Sequence, residues 1–444
     1  MFNTVLDSVY RSGKSSLNSN ITFEHYFGDW CSPDSDYLCL GRIVLPKERI
    51  TLIRIEKPIE LTTEFDLSLI APAEDIMFFD IETTGLSSWK SGLYLIGLLT
   101  YDDGWKLIQY FCEDVSDETT VLENFFTLLS SKKVLISFNG DGFDIPFLSH
   151  MVEQYGLPYS FYNVESFDIL KKIRPLKKLL GLENMKLKTC EKFLGIYRED
   201  RFSGGDLINV YFQWQEDHSQ DKLECLLLHN FEDVENMPNV LPILNYIYAL
   251  KGNFSLKSQE VVKHPTENKR VLSLCYEIYS LNPACKSMSS HNSDAITTSE
   301  APKSELNNDH VSISVPVPLD ISLDNWFINL TGSELNLCAN LYEGELKFFY
   351  PNYCDYYYLP MEDKAIHKSL AEFVDRSHRK KATAKTCYQK VFGIFLPEPE
   401  PVFSPTLCKE YKDKLIYTQF YSEMFEDEAS AEAYLCSVIK QLKL

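Results

Sequence analysis

The stretch Ile76-Met77-Phe78-Phe79-Asp80-Ile81-Glu82-Thr83-Thr84-Gly85-Leu86 decides how this chain is read. Its apolar run, Ile76 to Ile81, lies between a Pro-marked turn at Pro72 and the glycine at Gly85, the pattern of a core strand. Strand side chains alternate between faces, so Asp80 and Glu82 project from one face, about 7 Å apart along the chain. Two carboxylates on one face of a buried strand repel each other, and leaving them unpaired there is costly. They call for cations, and hard divalent ions such as Mg²⁺ or Mn²⁺ take oxygen ligands. A solvated surface turn is the competing reading, and the apolar run speaks against it.

Working outward, a second acidic signal follows the apolar run Val134 to Phe138: Asn139-Gly140-Asp141-Gly142-Phe143-Asp144-Ile145-Pro146. The glycines permit a tight turn, Phe143 can anchor in the core, and Asp144 stands where a helix begins, as a ligand or as a cap. Asn139 either positions substrate or shapes the turn. A third signal, His229-Asn230-Phe231-Glu232-Asp233-Val234, lies inside a long helical pattern. His229 and Asp233 are four apart, on one helix face, so a base and a ligand can share one site. A packed structural histidine is the alternative.

The segments between these signals fix the fold class. Apolar runs Ile76 to Ile81, Leu93 to Thr100 and Trp105 to Phe111, separated by Gly and Asp turns, predict an antiparallel meander. Glu118 to Leu129 has helical spacing, Val134 to Phe138 is a strand, and a helix starts near Ile145. A short strand follows at Ser166 to Leu170, then helices at Lys186 to Leu194, Asp206 to Gln215 and Lys222 to Leu250. The succession implies an α/β domain, a mixed sheet with helices on its faces. Asp168, at the end of a strand, is kept outside the catalytic set as structural or supporting.

On Phe78 through Leu86, Ser137 through Phe147 and Leu228 through Val234, the chain resembles the DEDD exonuclease superfamily, and within it the YprB-type ribonuclease-H-like branch. The resemblance covers residues 74–250. It implies a ribonuclease-H-like fold in which Asp80, Glu82, Asp144 and Asp233 surround two Mg²⁺ or Mn²⁺ ions. The implied activity is metal-dependent hydrolysis of phosphodiester bonds, a 3′→5′ exonuclease on single-stranded DNA or RNA, with His229 accepting the proton of the attacking water. Superfamily members carry either Tyr with three residues before the last acid or His with four; here His229 has the three-residue spacing of the tyrosine type. At neutral pH an imidazole is a better proton acceptor than a phenol. Thr83, Asn139, Phe143, Lys171 and Lys172 are the expected substrate-side residues. Leu86, Phe143 and Phe147 are candidates for wedging the terminal base, with core packing as their alternative use. Lys171, Lys172, Arg174, Lys177, Lys178, Lys186 and Lys188 form a basic stretch that either meets phosphates or is a solvated helix face. The rival functions are a non-catalytic nucleic-acid-binding protein of the same fold, which has no need of four clustered acids, and a structure-specific endonuclease.

The rest of the chain is less informative. Its 444 residues suffice for two or three domains at about 150 residues each. The expected order is an N-terminal extension with short strands (1–73), the nuclease domain (74–250), a helical tail (251–281), a flexible Ser/Asn-rich linker (282–312) and a smaller α+β domain of unassigned role (313–444). Apolar residues at 45% and charged residues at 24% exclude a wholly disordered or fibrous chain. Acidic residues number 64 against 43 basic, a net charge of −21, which excludes a broadly basic nucleic-acid coat protein. A polyanion must be met locally or through metal ions. The start, Met1 to Asn20, lacks the pattern of an export signal, and no run reaches the roughly 18 apolar residues of a membrane span. The 12 cysteines form no Cys-x-x-Cys pair, which points to reduced thiols in a cytoplasm. Protein partners are not legible.

Overall fold

In the computed structural model, which describes residues 22–24, 39–44, 51–263, 269–281 and 310–443, the chain forms two units. The first comprises Met1–Arg174 with Asn184–Leu241, the second Pro175–Glu183 with Pro242–Leu444. The first is built on eight strands: β1 (Thr22–Glu24), β2 (Cys39–Val44), β3 (Thr51–Ile59), β4 (Ile76–Thr83), β5 (Leu93–Tyr101), β6 (Trp105–Cys112), β7 (Val134–Ser137) and β8 (Glu165–Asp168). Their order across the sheet is β1-β2-β3-β6-β5-β4-β7-β8. Strands β4, β5 and β6 are the expected antiparallel meander, while β7 lies parallel to β4 and β8 parallel to β7. Each parallel step needs a crossover. Helix α1 (Glu118–Leu129) supplies the first and α2 (Asp144–Gln154) the second.

Helices cover both faces, as a strand buried on both sides requires. Met77, Phe79 and Ile81 pack with Val121 and Phe125 of α1 and Leu148 and Met151 of α2. On the other face Ile53, Tyr94 and Phe111 pack with Leu207, Tyr211 and Trp214 of one helix and Leu226 of the next. After a short helix α3 (Ile169–Ile173) and α4 (Leu187–Phe193), these two are α5 (Gly204–Asp217) and α6 (Gln220–Val240). The acids of β4 point to the α6 side. The fold is the expected mixed sheet flanked by helices.

Three boundaries differ from expectation. Strand β3, placed by sequence in a separate extension over 1–73, pairs with β6 from Leu52↔Cys112 to Ile59↔Trp105 and buries Leu52, Ile53 and Ile55 in the main sheet. An unpaired β6 would expose a row of backbone donors and acceptors, and β3 satisfies them. Residues 1–21, 25–38 and 45–50 of that extension lie outside the described residues. The helical tail expected at 251–281 is instead an antiparallel pair, β9 (Asn253–Lys263) with β10 (Arg270–Leu281). Leu272, Leu274, Tyr276 and Ile278 are buried with a period of two, and β-branched and aromatic residues favour that arrangement. Of the expected linker, 282–309 lies outside the described residues, and His310–Ser312 is a strand, β11, paired with β10.

The second unit is β-rich. Strands β12 (Val315–Ser322), β13 (Trp326–Gly332) and β14 (Glu334–Asn340) complete a sheet of order β11-β10-β14-β13-β12, with β9 beside β10. Two three-stranded sheets follow, one from Tyr342–Phe349, Tyr388–Glu398 and Ile416–Gln419, the other from Tyr356–Leu359, Lys364–His367 and Lys380–Lys381. Lys364–His367 pairs as a strand with Tyr356–Leu359 and is followed by a single helical turn, Lys368–Ala371. The helix Glu428–Ile439 carries Tyr434, which accepts from Trp326 Nε1 at 2.9 Å. Among the described residues no helix is long and apolar enough to cross a membrane.

Candidate metal centre and active site

Asp80 and Glu82 leave β4 on the face covered by α6. Opposite Asp80 in the sheet is Gly97, and the space left by its missing side chain is filled by Asn230 of α6, whose Oδ1 lies 2.0 Å from where a Cβ would sit. Asn230 is fully buried, accepts from Gln109 Nε2 at 2.9 Å and donates to Asp80 Oδ2 at 3.1 Å. Glu82 is buried and takes the Tyr94 hydroxyl at 3.3 Å. Asp144 arrives from the turn after β7 as the first residue of α2. It does not cap that helix. Its Oδ1 accepts the Ile81 amide of β4 at 3.2 Å, which brings it against the strand of the first two acids.

The turn itself is set by Asn139, at φ 76°, and by Asp168, buried at the end of β8. Asp168 accepts the amides of Asn139 at 3.0 Å, Asp141 at 3.3 Å and Lys171 at 3.2 Å, fixing the loop that delivers Asp144.

On α6, His229 and Asp233 face the same acids. His229 Nε2 lies 3.5 Å from Glu82 Oε1 and 3.7 Å from Asp233 Oδ2, while its Nδ1 lies 2.6 Å from Asp200 Oδ2. Asp233 also receives Nη1 of Arg198, a buried guanidinium whose Nε and Nη2 donate to Glu191.

The electrostatics are those of a site short of positive charge. Burial pushes the Asp80 carboxyl well above its ordinary range, the charges of Asp233, Asp144 and Glu82 push the same way, and the Asn230 hydrogen bond opposes them. Burial and Asp233 do the same to Glu82, against the Tyr94 hydrogen bond. Asp144 is pushed up to about 7, chiefly by burial, although the Ile81 amide favours its ionised form. Such acids are stabilised by nearby cations. Glu82, His229 and Asp233 each place one ligand atom within 4.8 Å of the others'. The carboxylate oxygens of such a group are the donors that a hard divalent ion takes.

The structure thus brings together Asp80, Glu82, Asp144, His229 and Asp233. The expected substrate-side residues have local partners. Thr83 is buried and donates to Gly85 O at 2.9 Å, and Phe143 packs on Phe147 with ring centres 5.6 Å apart. Lys171 is exposed and pairs with Asp141 at 3.2 Å, and Lys172 lies over the Phe167 ring at 5.1 Å. Lys188 of the basic stretch turns inward, to Asp200 Oδ2 at 2.6 Å, and is not a free phosphate contact. Leu86 is 88% exposed and Phe147 2%, so only the first is placed to touch a ligand. Sequence reasoning missed Arg198, Asp200 and Asn230, which hold the acids and the histidine, and Trp89, exposed and tilted against the His150 ring with centres 3.9 Å apart. The one available signal was Asn230, beside His229 in the third motif.

Residues 77–245 match the RNase_H_2 model of the RNase_H superfamily. No curated protein matches the chain. Among solved structures, the family B DNA polymerase of the hyperthermophilic archaeon Pyrobaculum calidifontis aligns at 16% identity and a TM-score of 0.31, covering 44% of this chain and 31% of its own. A structure of exonuclease I aligns at 11% identity and a TM-score of 0.25, covering 46% and 55% respectively. Exonuclease I of E. coli in complex with a dT13 oligonucleotide gives 11%, 0.27, 46% and 55%. The chain therefore spans less than two thirds of each of these proteins. The family match thus covers residues 77–245, less than half of the chain.

Proposed function

We propose that this protein is a metal-dependent nuclease of the DEDD type, close to the YprB branch, acting as a 3′→5′ exonuclease on single-stranded DNA or RNA in the cytoplasm. One observation carries the reading: four carboxylates, Asp80, Glu82, Asp144 and Asp233, converge on one face of β4 beside an imidazole, three of them held above their ordinary pKa. A purely structural cluster gains nothing from such repulsion, whereas a centre for two Mg²⁺ or Mn²⁺ ions requires it. When bound, such ions supply the charge that acidifies a water and stabilises a leaving oxygen.

The chain's own residues do the rest. Asp80, Glu82, Asp144 and Asp233 hold the cations, with Asn230 and the Ile81 amide fixing Asp80 and Asp144. His229 Nε2, facing Glu82 and Asp233, accepts the proton of the attacking water. The loop that follows Glu82 in sequence leaves Leu86 and Trp89 exposed, and these are the side chains assigned to meet the substrate.

The test is hydrolysis of 3′- and 5′-labelled single-stranded DNA and RNA with Mg²⁺ or Mn²⁺, for the wild type and Asp80→Ala, with a circular substrate alongside. Stepwise shortening from the 3′ end that needs both metal and Asp80 supports the reading. Cutting of the circle moves the assignment to an endonuclease. A folded protein that cleaves no substrate sinks the nuclease reading.

A further inference from the structure

The histidine of this site is gripped from behind. Asp200 Oδ2 lies 2.6 Å from His229 Nδ1, and both side chains are buried, 1% and 7% exposed. Asp200 is itself immobilised. Its Oδ1 accepts the Phe202 amide at 2.9 Å, its Oδ2 accepts Lys188 Nζ at 2.6 Å, and its own amide donates to Glu232 Oε2 at 3.0 Å. Glu232 Oε1 takes the neighbouring Glu199 amide at 2.8 Å. Glu232 precedes Asp233 on α6, so the helix that carries His229 also holds the loop that orients it.

We propose that Asp200 is a positioning residue that keeps the His229 proton on Nδ1, leaving Nε2 unprotonated toward Glu82 and Asp233. An ionised carboxylate is acceptor-only, so the nitrogen 2.6 Å from Asp200 must donate; Glu82 and Asp233, at 3.5 and 3.7 Å, make no such hydrogen bond to Nε2, which in a neutral imidazole then carries the lone pair. That lone pair is what a proton acceptor needs. Burial works against the charge of Asp200, but the hydrogen bonds from Lys188, Phe202 and His229 outweigh it and hold its pKa below the ordinary carboxylate range. The role rests on the reading of His229 as the base, and the tautomer is measurable without any activity.

Asp200→Asn separates positioning from packing. With its oxygen kept on the buried Phe202 amide, the new carboxamide turns its NH₂ toward Nδ1, and the half-exposed Lys188 ammonium swings out to solvent. His229 must then accept through Nδ1 and carry its proton on Nε2, which abolishes the lone pair facing the acids. We expect a fall in kcat of about 10²-fold or more with KM changed less than about threefold, the pattern of a base held in the wrong tautomer. The spectroscopic arm uses ¹⁵N-histidine-labelled full-length protein without divalent ions, with His229→Gln for assignment. Protonated Nδ1 in the wild type and protonated Nε2 in Asp200→Asn support the proposal. A wild-type proton on Nε2, or a variant whose tautomer and kcat both stay as in the wild type, overturns it. The wild-type spectrum needs no variant to fold beyond the one used for assignment. A wild type that lacks hydrolysis sinks the nuclease reading, while the two tautomer patterns still decide the role of Asp200.

Discussion

Arg198 donates through Nη1 to Oδ1 of Asp233, so the acid that α6 contributes to the site is tied to a buried guanidinium. The same side chain, 5% exposed, grips Glu191 through Nε and Nη2, both at 2.5 Å. Removing one partner of a buried ion pair leaves the other charge uncompensated, at a cost of about 3–5 kcal/mol. Arg198→Met is therefore expected to lose about that much stability in urea denaturation. Arg198→Lys should fall between the two, because an ammonium keeps the charge but not the planar fork that spans both acids. Equal stability of all three proteins would show that the network contributes nothing to the fold.

The acids of the site make stability depend on pH in an unusual direction. A carboxylate whose folded pKa is raised stabilises the fold fully below its unfolded value and loses that contribution as the pH climbs through the folded value. Asp144 is raised to about 7, and Asp80 and Glu82 lie well above their ordinary values, so the metal-free protein pays for ionising them from about pH 4 upward. Divalent cations favour the ionised forms. The gain in Tm on adding saturating Mg²⁺ or Mn²⁺ is thus expected to be larger at pH 8 than at pH 5.5, and Asp144→Asn should flatten the difference. A gain independent of pH would contradict the placement of these acids around a cation site.

Gly97 is a glycine because of what faces it. A Cβ there would stand 2.0 Å from Asn230 Oδ1 and 2.8 Å from its Cγ, and Asn230 is wedged between Gln109 and Asp80. Gly97→Ala forces that side chain away, which releases Asp80 and leaves buried polar groups unpaired, at about 1–3 kcal/mol for each group left without a partner. The expected result is a drop in thermal stability together with weaker Mn²⁺ binding by calorimetry. Stability and metal binding both unchanged would mean that Asn230 does not hold Asp80.

How much of this was readable in the residues follows from the range of the interactions. The core strand with Asp80 and Glu82 is local, and so is the His229 and Asp233 spacing on one helix, so pattern and periodicity reach both. Asp144 was ambiguous because a cap and a ligand occupy the same position at a helix start; only the cross-chain contact to Ile81 separates them. Arg198 and Asp200 sit in a stretch without periodicity, and the site residues they hold, Asp233 and His229, lie 35 and 29 residues away, so nothing local ties them to the site. Strand β9 was misread because most of its residues are exposed and polar, which hides the alternation that its buried partner β10 displays.

The wedge candidates divide by burial, and the two variants test that division. Phe147 is 2% exposed, in the core of β4, α1 and α2, so Phe147→Ala is expected to cost about 3–5 kcal/mol of stability. Leu86 is 88% exposed just past Gly85, and Leu86→Ala should change stability by less than about 0.5 kcal/mol. If the loop meets the end of a nucleic-acid strand, truncating Leu86 removes apolar contact worth about 1.5 kcal/mol or more, which raises KM roughly tenfold while the fold is intact. Steady-state kinetics on a labelled oligonucleotide, run beside thermal denaturation of both variants, reads the two effects separately. An unchanged KM for Leu86→Ala would remove this side chain from the substrate path and leave Trp89 as the exposed apolar group on the same loop.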